Sequence, residues 1–332
     1  MNSTSVSRRL AGVALTALAA LALSACATGS GAAPASASTR EFTTDTGTVT
    51  IPKKIDRVVS VDFYTPAALL DLGVKPVGVV NTYFEKESRG IPDTYREQVQ
   101  KSDAISIGEY YELNVEAVAQ AKPDVIVATD DFLPLDDPMR AQLEKIAPIV
   151  TFSARDSLSW KTRADGMADL MGRTEQLATV KKTYEDRLAE VKQAHPSFLD
   201  NETMAVFVPT EDTWGTYAST HFTGGVWSDV GARYRDQQPD EINEAKFPNW
   251  FSFEALDRLN NATVLFSQIP ITDIVPALTD SVLWKNLPAV KDGMVFENIP
   301  YSPTGSYGWG TINLNDIDPL LTRVETARAE VK

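Results

Sequence analysis

From Thr174 to Ala194 no proline or glycine interrupts the chain, and this run constrains the fold more than any other. Apolar side chains recur at Leu177, Val180, Tyr184, Leu188 and Val191, the spacing of one helix face, among residues that favour helix. Thr174 is placed to cap the N-terminus, and Pro196 ends the pattern. The spacing predicts one helix within 173–196. About 21 residues at about 1.5 Å each make a rod of roughly 30 Å, enough to join two lobes rigidly.

Strands alternate with helices on both sides of this rod. Before it, Arg57–Val61 reads as a β-branched strand, followed by a helix that starts at Pro66 and stops at Gly73. Pro76–Val80 and Val125–Ala128 read as further buried strands, Val115–Gln120 as a helix, and Ile149–Phe152 as a strand. After the rod, Met204–Val208 reads as a strand and Gly225–Val230 as a helix closed by Gly231. Thr263–Phe266 repeats the role of Val125–Ala128. Glu116 precedes Val125 by 9 positions and Glu254 precedes Thr263 by 9, so the halves echo one another. Alternating strands and helices imply parallel pairing. The predicted fold class is α/β: two similar lobes, each with a mainly parallel central sheet, joined by one long helix. About 290 residues beyond the amino-terminal segments exceed what one compact core usually spans. The expected division is 41–172 for the first lobe, 173–196 for the helix and 197–332 for the second lobe.

The start of the chain has a different character. Arg8-Arg9, the apolar run Leu10–Leu23 and the small residues Ser24 and Ala25 have the layout of a secretory signal, assigned to residues 1–25. Leu23-Ser24-Ala25-Cys26 resembles the lipobox of bacterial lipoproteins, which implies diacylglycerol on the Cys26 thiol and cleavage before it. More than one acyl chain makes a stable anchor, so the expected location is the extracytoplasmic face of the cell membrane. Residues 26–40 are rich in Ala, Ser, Gly and Thr and read as a tether. Cys26 is the single cysteine, so no internal disulfide is expected. Removing residues 1–25 takes away two arginines and no acid, which moves the formal charge from −14 to −16. That charge makes nucleic acid an improbable partner.

Four stretches carry a wider resemblance. They are Arg57–Val61 with Leu69–Val79, Leu113–Ile126, Phe251–Leu256 and Trp284–Phe296. In that order they resemble the substrate-binding lipoproteins of bacterial ABC importers for iron-siderophore complexes, a group that includes haem and cobalamin binders. Asn260-Asn261-Ala262 departs from the Pro-Asp or Ala-Asp turn common in the family. The resemblance implies a fold of the class III periplasmic-binding-protein type, a monomer, a ferric siderophore as ligand and an ABC permease as partner. It also implies one carboxylate per lobe for docking on permease arginines, at Glu116 and Glu254 by position. The alternative for each glutamate is a solvated residue favoured by the helix dipole.

Ligands of open α/β sheets bind outside the carboxyl ends of the strands. The loops there offer Phe63, Tyr64, Tyr83, Phe84, Tyr110, Tyr111 and Phe132 in the first half. Those of the second half offer Trp214, Tyr217, Phe222, Tyr301, Tyr307 and Trp309. As a set they suit a bulky organic ligand with apolar rims, such as a ferric chelate. Iron in such a chelate is already six-coordinate, so no cofactor and no protein metal ligand is expected. Only His195 and His221 are present. His195, beside Pro196, is expected to be exposed. His221 is expected in a ligand loop, as a polar contact or as a ligand to haem iron. Arg155, with Arg233 or Arg235, could face an anionic chelate. Acidity and few such arginines favour a neutral or cationic hydroxamate. A lipid-anchored hydrolase is the rival, yet no Gly-x-Ser-x-Gly elbow, His-Glu-x-x-His helix or Gly-rich phosphate loop is present. The pairs Asp130-Asp131 and Asp136-Asp137 could serve a glycosidase in principle, but adjacent acids in turns are usually solvated or local caps.

Overall fold

The computed structural model describes residues 38–85, 90–154, 158–220, 224–235, 249–297 and 304–331. An antiparallel hairpin opens this part of the chain, β1 (Thr39–Thr44) and β2 (Gly47–Pro52). The strand therefore begins inside the segment read as tether, and Arg40 ties it down by donating to the carbonyls of Asp169 and Leu170 at 3.3 and 3.1 Å.

The first sheet contains β3 (Val58–Ser60), β4 (Gly78–Val79), β5 (Ile105–Ser106), β8 (Val125–Thr129) and β9 (Ile149–Phe152). Its order is β5-β4-β3-β8-β9, and every pairing is parallel. Every residue of β8 is buried, as expected of a parallel strand covered on both faces. A small hairpin, β6 (Gly108–Glu109) and β7 (Glu112–Leu113), follows β5.

The second sheet contains β10 (Met204–Pro209), β11 (Thr213–Thr216), β12 (Asn249–Ser252), β13 (Val264–Ser267) and β14 (Val295–Glu297). In its order, β12-β11-β10-β13-β14, the run β10-β13-β14 is parallel and matches β3-β8-β9 of the first sheet. The other flank differs. Strands β11 and β12 pair antiparallel, where the first sheet has parallel β4 and β5. The segment read as a loop after β10 is thus a tight return into β11.

Helix Thr174–Ala194 joins the sheets. Tyr184 and Val191 are buried on it, and Leu177, Val180 and Leu188 pack against the core, which is the face the spacing predicts. Arg173 occupies the N-cap position and Thr174 is the first helical residue, so the predicted cap shifts by one. Gly73 and Gly231 follow their helices at φ +71° and +91°, a left-handed conformation that other residues adopt only with strain.

Helix Tyr307–Val331 returns across both halves. Trp309 belongs to the core of the first sheet, whereas Leu314, Ile317, Leu321 and Val324 belong to that of the second. Asp71, at the end of helix Thr65–Asp71, accepts from Gly308 N and from the Tyr95 hydroxyl, both at 2.7 Å. Its carboxylate thus caps the returning helix from the first half, and burial raises its pKa. Asp229 makes a second tie. It accepts from Lys161 Nζ and from the Tyr184 hydroxyl, each at 2.6 Å.

His195 departs from expectation. It is 2% exposed, with Nδ1 3.0 Å from Glu325 Oε2 and Nε2 2.7 Å from Asp318 Oδ1. The C-terminal helix covers it, a contact across more than a hundred residues that no local pattern announces.

Candidate functional site

Parallel pairing of β3 with β8 sets their carboxyl ends side by side. The hairpin β6–β7 joins them at that edge, because Ile107, just beyond β5, donates to Val79 and accepts from Asn114. Three loops therefore converge, each bringing aromatic residues. Phe63 and Tyr64 come from the loop after β3, Tyr110 and Tyr111 from the β6–β7 turn, and Phe132 from the loop after β8.

Phe132 is the hub. Its ring lies edge-on to Phe63 and to Tyr110, with centroids 5.2 Å apart in each pair, and tilted to Tyr64 at 5.5 Å and to Tyr111 at 5.7 Å. Edge-on and tilted contacts are those that aromatic quadrupoles prefer. Burial falls outward along the patch: Phe63 and Tyr64 are buried, Tyr110 and Phe132 half-buried, and Tyr111 is 74% exposed. The result is a firmly based aromatic surface open on one side.

The polar groups beneath are ordered. Asp62 is buried and accepts from the backbone N–H groups of Tyr64 and Thr65, both at 2.7 Å, and from the Thr65 hydroxyl at 3.0 Å. Burial is the main cause that raises its pKa, with the Thr65 N–H and Arg163 opposing. Arg163, 3% exposed, stacks over the Tyr64 ring at 5.1 Å and donates to the Ser153 carbonyl at 3.3 Å, while its Nε has no hydrogen-bond partner among the described residues. Arg163 is not among the residues expected at the site; its place among Trp160, Ala164 and Met167, the buried face of helix Ser159–Met171, is the local signal that marks it.

Asp130 and Asp131 part company. Asp130 Oδ1 accepts from Ala154 N at 2.9 Å, which ties the loop after β8 to the one after β9. Asp131 is exposed to solvent, yet protein groups lie close enough to desolvate it in part. Desolvation pushes its carboxyl up to about 6, and the Asp62 charge adds to this while Thr129 and Arg163 oppose it.

Several expected ligand contacts belong to the core instead. Tyr83 is wholly buried and donates its hydroxyl to the Phe63 carbonyl at 2.8 Å, so it supports the patch from below. Trp214 is wholly buried on β11, between Phe207 and Phe251, with Nε1 donating to the Ser252 carbonyl at 3.0 Å. Trp309 is wholly buried near Tyr95. Tyr307 packs edge-on to Trp160 and Tyr184. Tyr217 is 6% exposed, its hydroxyl 3.4 Å from Gln268 Oε1 in the loop after β13. Arg233 donates to the carbonyls of Glu202 and Asp200, at the amino end of β10, away from the ligand edge. Arg235 is buried and donates to the Arg258 carbonyl. Arg155, His221, Phe222, Tyr301 and Cys26 lie outside the described residues.

Glu116 and Glu254 are both exposed. Each begins the segment that leads into the equivalent strand, β8 or β13, and so stands at the carboxyl edge of its sheet. Around them the local structure differs. Glu116 starts helix Val115–Ala121, capped by the Asn114 side chain through Ala117 N at 3.0 Å. Glu254 starts a 3-10 segment, Phe253–Leu259, kinked at Ala255. Hydrogen bonding, first from the Ser252 side chain, holds the Glu254 carboxyl below the usual carboxylate range.

Residues 66–299 match the model of the periplasmic binding protein family. The iron-uptake system-binding protein of Bacillus subtilis is 28% identical over 260 residues, 76% of this chain and 76% of that protein. The probable siderophore-binding lipoprotein YfiY of the same organism is 27% identical over 252 residues, covering 73% of this chain and 74% of its own. Among solved structures, the siderophore periplasmic binding protein from the fuscachelin gene cluster of Thermobifida fusca superposes with a TM-score of 0.61 at 26% identity, over 82% of this chain and 98% of that one. Staphylococcus aureus SirA complexed with staphyloferrin B shares the fold, with a TM-score of 0.70 at 23% identity, covering 85% and 98% of the two chains. The chain belongs to the periplasmic binding protein family, and it is a binding protein rather than an enzyme.

Proposed function

We propose that this chain is an extracytoplasmic lipoprotein that captures a ferric siderophore and delivers it to an ABC permease for iron uptake. The observation that carries this reading is the five-ring patch around Phe132 at the carboxyl edge of the first sheet. Such a surface suits the apolar rim of a large organic chelate. Similarity to an iron-uptake system-binding protein and to a probable siderophore-binding lipoprotein supports the ligand class and the lipid. Among the described residues no helix is long and apolar enough to cross a membrane; the attachment proposed here is the lipid on Cys26. A hydroxamate-type chelate is favoured, since the described charge at the patch is acidic apart from Arg163, which is buried.

Two measurements test the ligand and a third tests the anchor. Protein made in its native host is purified and the mass of any copurifying ligand determined, and quenching of tryptophan fluorescence is then titrated with a panel of ferric chelates. A ferric chelate in the first and saturable quenching in the second are expected. Tighter binding of a catecholate than of every hydroxamate overturns the hydroxamate preference, and no binding of any chelate overturns the ligand class. Cys26→Ser is expected to leave the detergent phase on partition.

A further inference from the structure

The ligand reading above, on which this inference rests, leaves open what selects one ferric chelate over another. The described charges around the aromatic patch are Asp62, Asp130, Asp131 and Arg163, with Glu109 and Glu112 at the two ends of the Tyr110-Tyr111 turn; Asp62, Asp130 and Arg163 are already committed, and Glu109 accepts from Asn81 Nδ2 at 2.8 Å. Asp62 is enclosed by the N–H groups of Tyr64 and Thr65 and the Thr65 hydroxyl, and it faces Arg163, whose charge it offsets. Arg163 lies over the buried Tyr64 ring and is 3% exposed, so it presents no charge to solvent. Asp130 holds Ala154 N.

Glu112 and Asp131 are exposed and form no ion pair among the described residues, and of the two it is Asp131 that adjoins the hub of the patch. It directly precedes Phe132, whose ring contacts Tyr110 and Tyr111. Aromatic faces carry negative electrostatic potential and attract cations, most strongly where water is partly excluded. A carboxylate beside them adds Coulomb attraction of the same sign. A primary ammonium group meets both demands, because it donates to the carboxylate while its methylene stem lies along the rings.

We propose that Asp131 is the specificity-determining residue of the site, and that it selects ferric chelates bearing an alkylammonium arm over neutral or anionic ones. The carboxylate and the rings of Tyr110, Tyr111 and Phe132 hold the arm. The ferric core of the chelate rests on the remaining aromatic surface.

The test uses the complete mature chain and three probes: a ferric trihydroxamate with a free terminal amine, the same chelate N-acetylated, and ferric citrate. At neutral pH the amine form is expected to bind about tenfold more tightly than the acetylated form. Asp131→Asn is expected to erase that preference, to hold the acetylated chelate within about twofold of wild type, and to bind ferric citrate more tightly than wild type does. Matched circular dichroism and melting curves show that the variant is folded. Equal binding of the two hydroxamates by wild type, or a preference that survives in Asp131→Asn, overturns the assignment while leaving the ferric-chelate reading intact. If none of the three probes binds wild type, the ligand reading falls and this inference falls with it.

Discussion

His195 and Asp318 meet at 2.7 Å between Nε2 and Oδ1, where the end of the connecting helix is covered by the C-terminal helix. The other ring nitrogen faces Glu325, whose second oxygen accepts from Phe198 N at 2.9 Å. The cluster thus fastens the connecting helix and the segment after it to the helix that carries core residues of both sheets. Removing the imidazole leaves two carboxylates in a partly buried site without their shared partner. His195→Ala is expected to destabilise the protein by about 2 kcal/mol, measured by urea denaturation with an unchanged slope. A loss below about 0.5 kcal/mol shows that the contact is incidental.

Acid titration reads the same cluster from the other side. The hydrogen bond with His195, then that of Arg187, holds the Asp318 carboxyl below its usual range. A depressed acid contributes stability that is fully present above its ordinary unfolded value, near 4, and is lost as pH falls through the lower folded value. Wild type is therefore expected to lose stability below about pH 4 more steeply than Asp318→Asn, compared by denaturation midpoints along a pH series. Parallel curves for the two proteins count against a depressed Asp318.

The aromatic residues fall into two classes with opposite readouts. Phe132 touches four other rings and stays half-buried, so Phe132→Ala is expected to weaken chelate binding by about tenfold or more through lost contact area, as quenching titrations show. Trp214 is wholly buried and bonded to Ser252. Trp214→Phe is expected to cost about 1 kcal/mol of stability and to leave affinity unchanged. A reversed pattern removes the distinction between patch and core.

That division also shows what the residues disclosed in advance. Strands of the parallel runs are short, apolar and bounded by turns, so β8, β9 and β10 are readable within a residue or so, as is the helix Thr174–Ala194. The first-half patch is readable too, because a parallel strand always delivers its following loop to the carboxyl edge. The second half breaks that logic at β11, where an antiparallel return turns an aromatic loop into a strand and puts Trp214 in the core. His195 and Trp309 owe their settings to contacts remote in sequence. A local pattern carries no trace of which distant helix will cover it.

Glu116 and Glu254 close the argument about partners. Equivalent places before β8 and β13 put both exposed carboxylates at the carboxyl edges of their sheets, and the Ser252 side chain helps keep Glu254 ionised. A pair of exposed carboxylates, one from each half, suits a pair of guanidinium groups on a permease, since Arg binds carboxylates in bidentate fashion. Neither glutamate belongs to the aromatic patch, so transport and binding are separable. Charge reversal at both, Glu116→Lys with Glu254→Lys, is expected to abolish uptake of labelled ferric chelate by cells while affinity of the purified protein stays within about twofold of wild type. Each single reversal is expected to give partial uptake, because one ion pair remains. Uptake at the wild-type rate in the double variant rules out docking through these residues and leaves them as solvated helix starts favoured by the dipole.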